Sequence, residues 1–134
     1  MTTTLLVVLG LVFAGLVGMQ LLLRAHASAM HGQPVPAVPG PMGRRLAGAS
    51  SALVYFMSPS CGACRPWTPR FERLRRTNRN VFIVDVTQHL DLAQALRVMA
   101  TPSVVEIRDG RIAGYHVGGV PNEVLNGFAT EASD

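Results

Sequence analysis

The stretch that most limits what this chain can be is Leu5 to Leu23, LLVVLGLVFAGLVGMQLLL, which carries no charge and has Gln20 as its only clearly polar side chain. Nineteen helical residues rise about 28 Å, close to the ~30 Å hydrocarbon core of a bilayer. A helix packed in a soluble domain is rarely apolar on every face for that length. Residues 1–24 are therefore expected to form one transmembrane helix. AHA at 25–27 and ASA at 27–29 have the small-x-small form of a signal-peptidase site. Against cleavage, nothing basic precedes the run, the run exceeds a typical signal core, and Arg24 adjoins the cut. An uncleaved anchor is the expectation. Gly10, Ala14 and Gly18 share one helix face, a spacing that either reflects ordinary membrane-helix composition or lets two helices approach closely.

Residues 25–43 contain Pro34, Pro36, Pro39 and Pro41 with Gly32, Gly40 and Gly43. That composition predicts a semi-extended tether with no core of its own. A single domain over 44–134 is expected beyond it. ALVYFM at 52–57 and VFIVDV at 81–86 read as buried strands. Phe71 to Thr77 and 91–98 read as helices, and Pro121 suits the first turn of a last one. Ser103 to Arg108 and Arg111 to Val117 flank Asp109-Gly110, a tight-hairpin signal. The order β, α, β, α, β, β, α implies an α/β fold with a parallel pair and an antiparallel edge.

Both cysteines of the chain lie in SPSCGACRPWTP, at Cys61 and Cys64. The position, where strand gives way to helix, favours a thiolate, because unpaired N–H groups and the helix dipole lower a thiol pKa. Cys61, nearer solvent, is the expected attacking group, and Cys64, one turn in, the expected resolving group. Gly62 and Ala63 are small enough for a partner backbone to come close. Two other uses of the pair stay open on the residues alone. A zinc site needs four ligands, which only His89 and His116 or a second copy of the chain could complete. A structural disulfide closing so short a loop stabilises little.

Several features together resemble the thioredoxin family from about Ala52 onward. They are Cys61-Gly-Ala-Cys64 with Pro69, Thr101-Pro102 entering a strand, Asp109-Gly110, and Val117-Gly118-Gly119. The resemblance implies a trimmed thioredoxin fold, a central mixed sheet flanked by helices, without the family's usual first strand and helix. It implies a cis Pro102 facing the cysteines and a Thr101 backbone that pairs with an extended client segment. The chain departs from the family pattern at four places. Tyr55 stands where a buried aspartate is usual, Ser60 where tryptophan is usual, Gly-Ala where Gly-Pro is usual, and Pro66 lies early in the helix. FMSPSCGAC is more similar to membrane-tethered bacterial relatives of the methylamine-dehydrogenase accessory and cytochrome c maturation types.

The implied function is thiol–disulfide oxidoreduction on client proteins through Cys61 and Cys64. The rivals are a redox-inactive client-binding module and a zinc-stabilised interaction domain. No dissociable cofactor and no metal is implied, and a membrane or soluble electron donor or acceptor is required. The expected location is the bacterial cytoplasmic membrane, held through residues 5–23, with the domain in the periplasm. Arg24, Arg44 and Arg45 count the other way under the positive-inside rule. All twelve basic Lys/Arg side chains are arginine, giving a net charge of +4. Arg70, Arg73, Arg75, Arg76 and Arg79 form either a solvated helix face or a docking patch for an acidic client or anionic lipid. Without base-stacking aromatics among them, nucleic acid is not an expected partner.

Overall fold

The apolar run after residue 50 forms strand β1 (Ser51–Met57), and its alternate residues serve two different cores. In this computed structural model, which describes residues 1–131, Ala52, Val54 and Phe56 pack to one side and Leu53 and Tyr55 to the other. All five are fully buried. A strand covered on both faces has no need of polar alternation.

Helix α1 (Thr2–Met30) and α2 (Pro41–Gly48) precede β1. After it come α3 (Thr68–Thr77), β2 (Val81–Asp85), α4 (Leu90–Ala95), β3 (Ser103–Arg108), β4 (Arg111–Val117) and α5 (Asn122–Glu131). The sheet order is β2-β1-β3-β4. β2 is parallel to β1, while β3 is antiparallel to both β1 and β4. This is the mixed sheet the sequence implied. Asp109 and Gly110, at φ 50° and 74°, make the hairpin turn. Leu74, Phe71, Leu125 and Phe128 bring α3 and α5 onto one face. Leu46 of α2 and Leu92, Ala93 and Leu96 at α4 cover the other. The α4 helix is shorter than expected, because Arg97 turns out of helical geometry at φ 54°.

α1 has a mean hydropathy of 2.5 over its most apolar window, none of it buried in the protein. It runs past Arg24 to Met30, which packs into the same core as Leu46 and Ile107. The stretch 25–43 is accordingly not the free tether its composition predicted. Gly32 N–H donates to Ile112 O (2.6 Å), Ile112 N–H to Gln33 O (2.8 Å) and Val35 N–H to Gly110 O (2.9 Å). Pro34 bridges Arg111 at the sheet edge, and Val35, Val38 and Met42 lie against the core. The backbone passes so close at Gly43 that a Cβ there would sit 1.7 Å from Val38 O, so this position admits only glycine. Of the two elements expected to be missing before β1, a short helix, α2, is present. The leading strand is represented among the described residues by the single Pro34–Arg111 bridge.

The end of α1 is held by a polar contact as well. His26 Nε2 donates to Arg97 O (2.9 Å), and the Tyr115 hydroxyl donates to the same oxygen (2.9 Å). The two rings meet edge to face, 5.4 Å between centroids. Burial pushes the Tyr115 hydroxyl up to about 12 from its ordinary value of 10.0. A folded-state pKa raised in this way contributes stability that is present below the unfolded value and lost as pH rises through the folded one. Thermal unfolding should show a falling midpoint between pH 10 and about 12, and Tyr115→Phe should flatten that fall.

Candidate active site

β1 ends at Met57, and the chain turns at once: Cys61 N–H donates to Ser58 O at 3.1 Å. Gly62–Cys64 form a single 3-10 turn. The regular helix begins only at Thr68, because Pro66 has no N–H to carry an α-helical ladder through the intervening turn. Cys61 therefore precedes a 3-10 turn, not the first turn of a long helix as the sequence implied, and the α3 dipole acts on it from further away.

Cys61 and Cys64 are joined by a disulfide, with 5.4 Å between Cα atoms. Cys64 is 2% exposed, whereas Cys61 is partly open and Gly62 and Ala63 are exposed. The antiparallel register that pairs Phe56 with Ser103 puts Thr101-Pro102 at the same end of the sheet as the cysteine loop. The Thr101–Pro102 bond is cis. Pro102 O accepts from Gly118 N–H (2.9 Å). No backbone bond to the Thr101 N–H or carbonyl occurs among the described residues. The structure thus brings Cys61, Cys64, Gly62, Ala63, Thr101 and Pro102 to one end of the sheet.

Two features of this end were not legible beforehand. The Tyr55 hydroxyl lies 2.9 Å from Thr68 Oγ1 and 3.2 Å from Cys64 O, to which Thr68 Oγ1 itself donates (3.1 Å). Tyr55 also stacks on Phe71, 4.3 Å between centroids. Its pKa is raised by burial, an effect partly offset by the Thr68 contact. The phenol is turned to the Cys64 backbone oxygen and so supports the inner end of the cysteine loop. Tyr55→Phe should cost about 0.5–1.5 kcal/mol of stability while leaving the pH profile of thiol exchange unmoved; a displaced profile would instead make Tyr55 a proton acceptor.

The second feature is a contact between Trp67 and Gly119. A Cβ at Gly119 would lie 2.7 Å from Trp67 Cζ2, while Arg70 covers the indole at 5.0 Å and donates to Asn122 Oδ1 (2.8 Å). The glycine pair after β4 was visible in the sequence, but its indole neighbour was not. Gly119→Ala should displace Trp67, read as a shift in its fluorescence. The two histidines considered as metal ligands stand toward opposite edges of the sheet. His89 occupies the N-cap position of α4, after the edge strand β2, with no side-chain cap bond. His116 lies on the other edge strand, β4, with Nε2 buried and unpartnered. Burial lowers the His116 pKa against the opposing pull of Glu106.

The thioredoxin family model matches residues 44–131, which holds the whole sheet and both cysteines. The chain belongs to the thioredoxin family. A "disulfide bond formation protein" of Brevibacillus choshinensis is 33% identical over 87 residues, covering 62% of this chain and 74% of that protein. A thioredoxin H-type of Fagopyrum esculentum is 33% identical over 82 residues, covering 60% of this chain and 71% of its own. Among solved structures, a mutant thioredoxin of Halobacterium salinarum superposes with a TM-score of 0.57. It is 24% identical and covers 72% of this chain and 88% of its own, a likeness of fold. With a paired CxxC on this thioredoxin domain, the chain is a thiol–disulfide oxidoreductase.

Proposed function

We propose that this thioredoxin-family chain is a membrane-anchored oxidoreductase that exchanges disulfides with client proteins, Cys61 being the reacting sulfur. What carries this reading is the unequal exposure of the two cysteines beside the Thr101–Pro102 turn. In the reduced form the Cys61 thiolate attacks a client disulfide, and one client sulfur leaves as thiolate. Cys64, losing its proton, then attacks Cys61 Sγ and releases the second client sulfur. The client gains two electrons and the Cys61–Cys64 bond re-forms. In the oxidised form the same steps run backwards from a client dithiol.

Thr101 offers its backbone to an extended client segment, Pro102 walls the site, and Gly62 and Ala63 leave room for the approach. No dissociable cofactor or metal enters this scheme, since the electron pair resides in the sulfur–sulfur bond. A membrane or soluble thiol partner returns the enzyme to its starting state. The chain is placed in a bacterial cytoplasmic membrane with its domain in the periplasm, as in the tethered relatives of the methylamine-dehydrogenase accessory and cytochrome c maturation types. The support for anchoring is the exposed apolar α1.

A phosphatase reporter fused after Asp134, active only when exported, tests the placement. Activity is expected. A silent phosphatase, with a second reporter that works only in the cytoplasm active at the same fusion point, would show that Arg24, Arg44 and Arg45 orient the helix instead.

A further inference from the structure

The direction in which α1 crosses β4 decides which end of the domain faces the bilayer. Gly32 bonds to Ile112, while His26 packs on Tyr115. His26 to Met30 is four helical steps, a rise of about 6 Å before the turn at 31–32, beside about 10 Å for the three strand steps from Ile112 to Tyr115, so the end of α1 and β4 lie side by side and run in opposite directions. The membrane-spanning part of α1 therefore departs past the C-terminal end of β4. That is the end where Val117 pairs with Ser103 and Gly118 bonds to Pro102, and where the cysteine loop sits. Continuing from Tyr115 to Val117 adds about 7 Å, the rise of four to five helical residues, which reaches Leu21 or Leu22. The redox end is level with the last turn of the apolar run.

A second observation points the same way. Beyond α1 in the chain, the exposed large apolar side chains among the described residues are Leu90, at 59%, and Met99, at 68%. Leu90 opens α4, after the C-terminal end of β2, and Met99 lies just before Thr101-Pro102. β2 is parallel to β1, so both exposed residues sit on segments at the redox end. Exposed Arg65 and Arg97 accompany them, with Arg24 at the end of the span, against Asp91 and Glu123.

We infer that the redox end of the domain rests on the bilayer that α1 crosses, with Leu90 and Met99 in the headgroup layer and Cys61 at the membrane surface. The His26–Arg97–Tyr115 contact and the Gly32–Val35 bonds hold this orientation, replacing a swinging tether with a fixed mount. Thiols that react with Cys61 must then come to the membrane surface. The inference rests on the membrane-anchored reading above.

The test uses the full chain in vesicles of phosphatidylcholine and phosphatidylglycerol carrying a nitroxide on a fraction of the headgroups. Trp67, the single tryptophan, is first changed by Trp67→Phe, and a probe is then added by Met99→Trp or by Ser50→Trp. Ser50 is at the opposite end of β1, just before its first residue. Quenching of the Met99→Trp chain several-fold stronger than that of the Ser50→Trp chain is expected. Equal quenching, or stronger quenching of Ser50→Trp, in protein that resists alkaline extraction would overturn the orientation alone. Protein released by alkali would overturn the anchoring and the orientation with it.

Discussion

A Cys64→Ser chain is expected to accumulate covalent complexes with its clients, sensitive to reductant and absent from the Cys61→Ser/Cys64→Ser chain. The reason is the difference in access. Cys61 is partly open beside Gly62 and Ala63, while Cys64 is 2% exposed beneath the loop, its carbonyl held by Thr68. An attacking sulfur needs a path to the client, whereas a resolving sulfur needs only its neighbour. Without Cys64, the mixed disulfide has no rapid intramolecular exit and persists. Cys61→Ser alone should reduce exchange to background and trap nothing. If Cys61→Ser trapped more partners than Cys64→Ser, the roles would be reversed. If it left cellular function intact, the fold would be acting as a binding module.

The largest loss of stability is expected from Phe71→Ala. Phe71 is fully buried between α3 and the sheet and stacks on Tyr55. Removing a buried phenylalanine typically costs about 3–5 kcal/mol, set against about 5–15 kcal/mol for a whole domain. In a domain this small, each kcal/mol lowers the melting temperature by about 4–8 °C, so a fall of about 12 °C or more is expected. The emptied space also frees the Tyr55 ring, so Cys64 should become easier to alkylate in the reduced protein. Circular dichroism melting of the full chain in detergent, with alkylation rates beside it, measures both. A fall of only a few degrees would mean that the α3 face contributes little to stability.

The parts of this fold legible in the sequence are those set by local chemistry. The two strands around Asp109-Gly110 have the bounds their pattern implied, because a two-residue turn fixes register. The cysteine loop, the Thr101-Pro102 entry and the apolar span were legible for the same reason. What escaped was set by residues distant in sequence. Proline and glycine over 25–43 suggested a loose tether, yet Val35 and Val38 had a core to cover and Gln33 an edge strand to pair with. Arg24 suggested a helix end, but the true end lies just before Gly32, where φ reaches 78°. Tyr55 was noticed only as a missing aspartate. Its hold on Cys64 and Thr68 depends on how β1 lies under the loop, which no local pattern reports.

The central claim is that Cys61 and Cys64 form a reversible, exchangeable disulfide. Its most direct test is a redox titration of the full chain in detergent, equilibrated across a series of glutathione buffers, with free thiols trapped by alkylation. One two-electron transition is predicted, from no reactive thiols in oxidising buffer to two in reducing buffer, and either single serine substitution should abolish it. A midpoint of about −270 mV would resemble thioredoxin itself, and one of about −120 mV a strongly oxidising member of the superfamily. Thiol counts that do not change across the whole series would contradict the claim.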